Sequence, residues 1–383
     1  MTALPSAAEV VVVGGGVIGT SIAFHLAETG VDVCLLERDQ LAGGSTSRAA
    51  GGIRAQFSDP LNIAIGLRSI EAFTRFGERP GAEIDLHQVG YLFLLDRKED
   101  VAAFESSVAL QNSQGVPSRF VDLDEVRELC PLAGLDGVLA ATYCALDGHA
   151  SPEAVVQGYA AGARGHGASI LVGCKVSAVL HDGDQIQGVE TTLGTIATRT
   201  VVCAAGVWSL QIARTSGVDL PVEPFLREVG FTGPTPGLPD LFPLTIDFST
   251  GFYFHREGPG LLFGMADPEQ AAGLDAATNP AWPEKVMHVA ARRLPSLLDM
   301  GTAGGWKGYY EITPDHNALV GESAEVARFL YATGFSGHGF LQGPAVGEIV
   351  RDLVLGQNPF VDVTPLSVDR FANAASRPEH NVI

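Results

Sequence analysis

The chain has 383 residues, 46% of them hydrophobic and 18% charged, with a formal net charge of −20. That length carries two domains, or one large domain with an inserted second, around a sizeable core. So acidic a balance excludes nucleic acid and anionic membranes as expected partners, because both need a basic surface, and any anionic substrate must meet a local cationic pocket.

The first residues, MTALPSAAEVVVVGGG, lack the basic start and cleavage site of a secretion signal. Residues 9–36 then read as a βαβ unit. EVVVV is a short β-branched run of the kind that forms a buried parallel strand. Gly14, Gly16 and Gly19 make GxGxxG at once after it, where a helix opens over TSIAFHLAETG and closes on Gly30. VDVCLLE is the second strand and ends in Glu37. The first glycine allows a tight turn, the second a close approach to pyrophosphate, and the third close helix–strand packing. An acid 18 residues after Gly19 suits an adenosine ribose hydroxyl and favours NAD or FAD over NADP.

GGSTSRAAGGIRAQF, residues 43–57, follows with Arg48 and Arg54 in a small-residue loop that has no acid within it. A helix is expected over NIAIGLRSIEAFTRF. From about residue 86 the texture changes: GYLFLL reads as a strand and DVAAFESSVALQNSQG as a helix. SPEA near residue 151 reads as an N-cap and first turn. Residues 168–206 alternate like an antiparallel meander with a DG turn, ending in the apolar strand TVVCAAG. Residues 221 to about 305 are rich in proline and aromatics, with GFYFHREGPGLLFGMAD as a hairpin. FLYATGF is a strand, and a helix is expected from about Gly343 to Leu355. No apolar run approaches the ~18 residues of a membrane span. The five cysteines form no CxxC, so neither disulfides nor a zinc site is expected, and a reducing cytoplasm fits best.

Four motifs in this order resemble the D-amino-acid oxidase family of FAD-dependent oxidoreductases, and most of all its glycine and sarcosine oxidases, sarcosine oxidase beta subunit and dimethylglycine dehydrogenase-like members. They are the GxGxxG turn, GGSTSRAAGG, TVVCAAGVWS, and YYEITPDHNALVG with ATGFSGHGF. The resemblance implies an α/β FAD-binding Rossmann-like domain of the glutathione-reductase type, with an interleaved α+β substrate domain on an antiparallel sheet. The FAD-binding domain is drawn at 1–85, 145–220 and 306–383, and the substrate domain at 86–144 and 221–305.

The resemblance also implies where the cofactor is held. The nucleotide turn adds Val17 and Ile18 to its glycines, and Arg38 to Glu37. The flavin loop gives Gly44, Ser45, Thr46, Ser47 and Arg48, then Ala50, Gly51 and Gly52. Val176 is placed at the adenine, and Ala205, Gly206 and Trp208 near the flavin. The carboxy-terminal motif gives Gly334, Gly337, His338, Gly339, Phe340 and Leu341. Gly308 stands where monomeric sarcosine oxidases carry a linking cysteine, so noncovalent FAD is expected.

For the substrate, Arg54 matches the family's carboxylate-binding arginine, and its planar fork suits two parallel hydrogen bonds. The alternative is a buried pair with Asp59 or Glu71. Tyr253, Tyr310 and Met265 are further pocket candidates, each equally readable as core. The family's second carboxylate-binding lysine is replaced by Leu341, and its oxygen-activating lysine leaves only Lys307 near the flavin. The expected reaction is oxidation of the C–N bond of glycine or an N-substituted glycine, by hydride transfer to FAD and imine hydrolysis to glyoxylate and an amine. The partners are thus a small amino acid or secondary amine and oxygen or another acceptor, with a homo-oligomer left open. The alternatives are a proline- or dimethylglycine-type dehydrogenase and a non-catalytic flavoprotein subunit.

Overall fold

The computed structural model describes residues 4–372 and 376–382. Val10–Val13 forms the central strand of a six-stranded sheet, flanked in parallel by Val33–Leu36 and by Thr200–Cys203. Ser169–Leu171 extends one edge, and Phe329–Thr333 with antiparallel Leu319–Glu322 extends the other. The four valines at the centre are buried on both faces, which is why this strand reads as an unbroken apolar run. Helices Val17–Glu28 and Gly339–Val354 pack on one face, and Gly347 allows the contact, because a Cβ there would meet His25 at 2.6 Å. The three-stranded meander Val176–Asp182, Gln185–Thr191 and Gly194–Ala197 covers the other face.

A second, eight-stranded sheet holds the middle of the chain. Its order is Gly304–Ile312, Glu223–Phe231, Gly260–Gly264, Phe252–Glu257, Leu244–Asp247, Tyr91–Leu95, Ala140–Cys144 and Arg119–Val121. All its pairs are antiparallel except Leu244–Asp247 with Tyr91–Leu95. Helix Trp282–Arg293 packs with Phe252, Phe254 and Phe263 in a separate apolar cluster.

Three sequence boundaries move. Gly304–Ile312 pairs along its whole length with Glu223–Phe231, so the second sheet reaches past residue 305, and YYEI is a strand of that sheet. Ser169–Leu171 joins the parallel sheet rather than the meander, with Ile170 packed on the helical side and Leu171 on the meander side. The last helix starts at Gly339 and runs through Pro344. Among the described residues, no helix is long and apolar enough to cross a membrane.

Candidate functional site

A cavity of about 430 Å³ runs from Glu37 and Val176, past the loop 44–52, to Tyr253 and Tyr310. One end is made by the parallel sheet. Gly14 stands at φ 113°, and any Cβ there would strike the carbonyl of Ala204. Gly16 begins the helix Val17–Glu28 without a side-chain cap, which leaves amides of the first turn facing the cavity for an anion. Thr46 Oγ1 accepts from Val17 N at 3.1 Å, so the second loop is tied to the first. Glu37 accepts from Gly15 N at 2.7 Å and Asp39 N at 2.8 Å, which fixes its carboxylate at the mouth. The Arg38 guanidinium lies 3.6 Å over the Trp208 ring. This cradle fits a dinucleotide: glycines where a backbone must approach, helical amides at the centre and an acid at the far end.

The other end is closed by the second sheet. Tyr91, Tyr253 and Tyr310 line it, and each ring occupies space that a glycine leaves: a Cβ on Gly52, Gly264 or Gly337 respectively would collide with them. Burial raises the hydroxyl pKa of all three, so they stay protonated and available as donors. Arg48 turns outward from the loop, donating to the Lys307 carbonyl at 2.8 Å, while Trp306 Nε1 donates to the Arg48 carbonyl at 3.0 Å. A Cβ on Gly308 would stand 2.6 Å from Arg48 Cβ, so this position has no room for a linking side chain.

Arg54 reaches the cavity but is only 2% exposed. It donates to the Gln56 carbonyl, to the Asn381 carbonyl at 2.6 Å, and across 3.2 Å to His338 Nε2. Arginine has no acceptor, so Nε2 accepts and the imidazole proton sits on Nδ1. Burial first, and the Arg54 charge second, hold His338 well below the usual imidazole range, which keeps it neutral. The pairing with Asp59 or Glu71 does not occur: Asp59 caps the helix Pro60–Thr74, and Glu71 pairs with Arg68 at 3.0 Å.

Most residues assigned from sequence come together on this cavity, from Gly14 to Leu341, but Gly19, Ser47, Gly334 and Met265 do not line it. Gly19 packs its helix on the Gly14 carbonyl, as its motif position requires. Ser47 faces a second cavity behind the loop. Gly334 turns the chain at φ 71° beside Thr313. Met265, one residue past the strand Gly260–Gly264, belongs to the apolar cluster with Trp282, whose Nε1 donates to the Met265 carbonyl at 2.9 Å. Lys307 is likewise displaced, bonding Thr278 Oγ1 at 2.9 Å on the exposed side of its strand.

Of the cavity residues not assigned from sequence, three stand out. Tyr91 was seen only as part of a strand. Glu311 accepts from Thr333 Oγ1 at 3.0 Å, and burial pushes its carboxyl up to about 7. Arg227, in the run PFLREVGF, sits in the middle of Glu223–Phe231, with its guanidinium 5.3 Å from the Tyr310 ring. A lone cation inside a long strand was the signal available.

The sequence matches the family model DAO, described as "FAD dependent oxidoreductase", over residues 9–353. It is 29% identical to mouse (Mus musculus) mitochondrial dimethylglycine dehydrogenase across 95% of this chain. The chain spans 44% of that relative's length. L-Proline dehydrogenase from P. horikoshii superposes with a TM-score of 0.92 and 32% identity, covering 98% of this chain and all of that one. Glycine oxidase from Geobacillus kaustophilus superposes with a TM-score of 0.85 and 26% identity, covering 95% and 99%.

Proposed function

This chain belongs to the FAD-dependent oxidoreductase family, and on that premise we propose that it oxidises the C–N bond of a small amino acid, with an N-substituted glycine as the substrate class. The observation that carries the reading is the continuity of one cavity, from the dinucleotide cradle at Gly14 to a closed end of three tyrosines and two arginines. Bound FAD supplies the two-electron acceptor. The chain's own residues then hold and orient the substrate. The cationic end takes the carboxylate, and the tyrosine rings exclude water while their hydroxyls direct the amine. Neutral His338 adds no charge that would repel an amine. Oxidation leaves an imine, which water hydrolyses to an oxo acid and an amine. The lack of a side chain at Gly308 supports noncovalent FAD.

The dehydrogenase reading has its own support. The resemblance assigns oxygen activation to a lysine, yet Lys307 lies on the outer side of its strand, and among the described residues the only lysine on the cavity wall is Lys175, at the nucleotide end beside Val176. That favours an acceptor other than oxygen, with proline or dimethylglycine as candidate substrates.

The test is anaerobic addition of glycine, sarcosine, dimethylglycine, proline and longer N-carboxymethyl amines to the purified yellow protein. Loss of the visible flavin band with one of them supports the reading, and readmitting air separates oxidase from dehydrogenase. A flavin that none of them reduces sinks it. After acid precipitation, noncovalent FAD stays in the supernatant.

A further inference from the structure

We propose that Arg227, rather than Arg54, anchors the substrate carboxylate, which places the substrate's negative end against the second sheet. This assignment rests on the amine-oxidation reading above and adds which residue sets its specificity for free amino acids.

The two arginines line the same cavity, but they differ in what already holds them. Both Nη atoms of Arg54 have acceptors within the protein: the Gln56 and Asn381 carbonyls and the His338 ring. Its charge also lies 4.1 Å from the Phe57 ring centre. A carboxylate could claim this fork only by displacing the segment that carries Asn381. That segment is itself fastened, because Glu379 accepts from Ser58 N at 2.8 Å, Ser58 Oγ at 2.6 Å and Asn62 Nδ2 at 2.9 Å. Arg54 is therefore a positioning residue, holding His338 and the carboxy-terminal segment in place.

Arg227 has the opposite character. Among the described residues, its one side-chain hydrogen bond goes to the neighbouring Leu226 carbonyl at 3.1 Å, and its buried Nε has no partner. No carboxylate among the described residues lies within ion-pairing distance, while Asp267 nearby is committed to Lys285 at 3.1 Å. A half-buried guanidinium whose buried Nε has no partner is costly unless a ligand completes it. The register sets its surroundings. Arg227 stands opposite Gly308, and paired residues share one face of the sheet; the stem of Arg48 fills the space beside Gly308, while Arg227 itself lines the cavity. Tyr310 lies on the same face and packs its ring beside the guanidinium. A planar fork open to the cavity beside phenol hydroxyls suits a carboxylate bound through two oxygens. Esters and amides of the same substrate lose the charge that this fork selects.

The test uses the flavin-loaded protein and titration calorimetry with pyrrole-2-carboxylate and, in parallel, pyrrole-2-carboxamide. Wild-type protein is expected to bind the carboxylate in preference to the carboxamide. Arg227→Met should weaken the carboxylate by roughly 30- to 1,000-fold, the range for removing one partner of a buried charge pair, and leave the carboxamide unchanged. Arg227→Lys, which keeps the charge but not the fork, should fall between them and guards against a fold defect in the first variant. Flavin content and thermal midpoint are checked for both. The assignment is overturned if Arg227→Met keeps wild-type carboxylate affinity, if both ligands weaken equally, or if the wild type shows no preference. Failure of amine oxidation itself would appear separately, as flavin that no amine reduces.

Discussion

At Gly14 the backbone stands at φ 113°, a region that favours glycine, and a Cβ would also enter the Ala204 carbonyl. Gly14→Ala is therefore expected to yield folded protein with little or no flavin, measured as the ratio of visible to ultraviolet absorbance; full flavin content would contradict the cradle described above. Two buried carboxyls give a pH signature. Burial pushes Asp147, which accepts from Ala55 N at 2.9 Å and Gln56 Nε2 at 2.9 Å, up to about 7, and does the same to Glu311. Both folded-state values lie above the ordinary carboxyl range near 4. Between about 4 and 7 the native state thus binds more protons than the unfolded one, and stability falls as pH rises through that window. The double variant Asp147→Asn, Glu311→Gln should flatten this slope in thermal unfolding between pH 5 and 8, by on the order of 2 kcal/mol. Asp315 braces its loop: it pairs with buried Arg370 at 2.8 Å and accepts from Asn317 N at 3.2 Å. Arg227 was not legible, since nothing local distinguishes an inward arginine from an outward one until the sheet is assembled.

Among the elements, the carboxy-terminal segment 376–382 has the largest consequence for its size. It has no regular structure, yet Glu379 is 2% exposed and draws together Ser58, Asp59 and Asn62 at the start of the helix Pro60–Thr74. Glu379→Ala leaves those buried donors unpaired and should lower stability by about 2–4 kcal/mol, read from the denaturation midpoint. The same variant loosens Asn381 from Arg54, so limited proteolysis should cut the segment first; an unchanged digestion pattern would show that the segment is held by other contacts. Helix and strand identities were readable where the pattern was long. The helix Lys98–Ser113 and the hairpin Phe252–Glu257 with Gly260–Gly264 follow the sequence reading closely. The nine-residue strands Glu223–Phe231 and Gly304–Ile312 were obscured, because glycine, proline and charge interrupt their alternation. Their identity comes from pairing with each other.

Over the whole molecule, a net charge of −20 surrounds a cavity whose closed end holds Arg54 and Arg227. The outer field repels a carboxylate on approach, while the site attracts it at contact. Salt screens the long-range repulsion more than the buried attraction. Raising ionic strength from about 0.01 to 0.15 M should accordingly speed carboxylate association by several-fold, in stopped-flow flavin absorbance, with a smaller change in dissociation. An association rate that falls with salt would mean that a local positive funnel dominates. The sequence by itself determined the dinucleotide cradle, the family and most of the cavity wall. Those features depend on backbone needs at fixed short spacings: a turn that only glycine enters, a helix that starts at once after a strand, an acid at a strand's end. The tertiary structure alone decided which cation is free. Arg54 lies more than 300 positions from Asn381 and Glu379 along the chain, yet the three meet in one hydrogen-bonded cluster that occupies the arginine recognised first. Arg227 gains its surroundings from a strand paired with its own across 81 positions, at Gly308. Whether a charge is satisfied depends on neighbours that long-range packing supplies, and no local pattern encodes it.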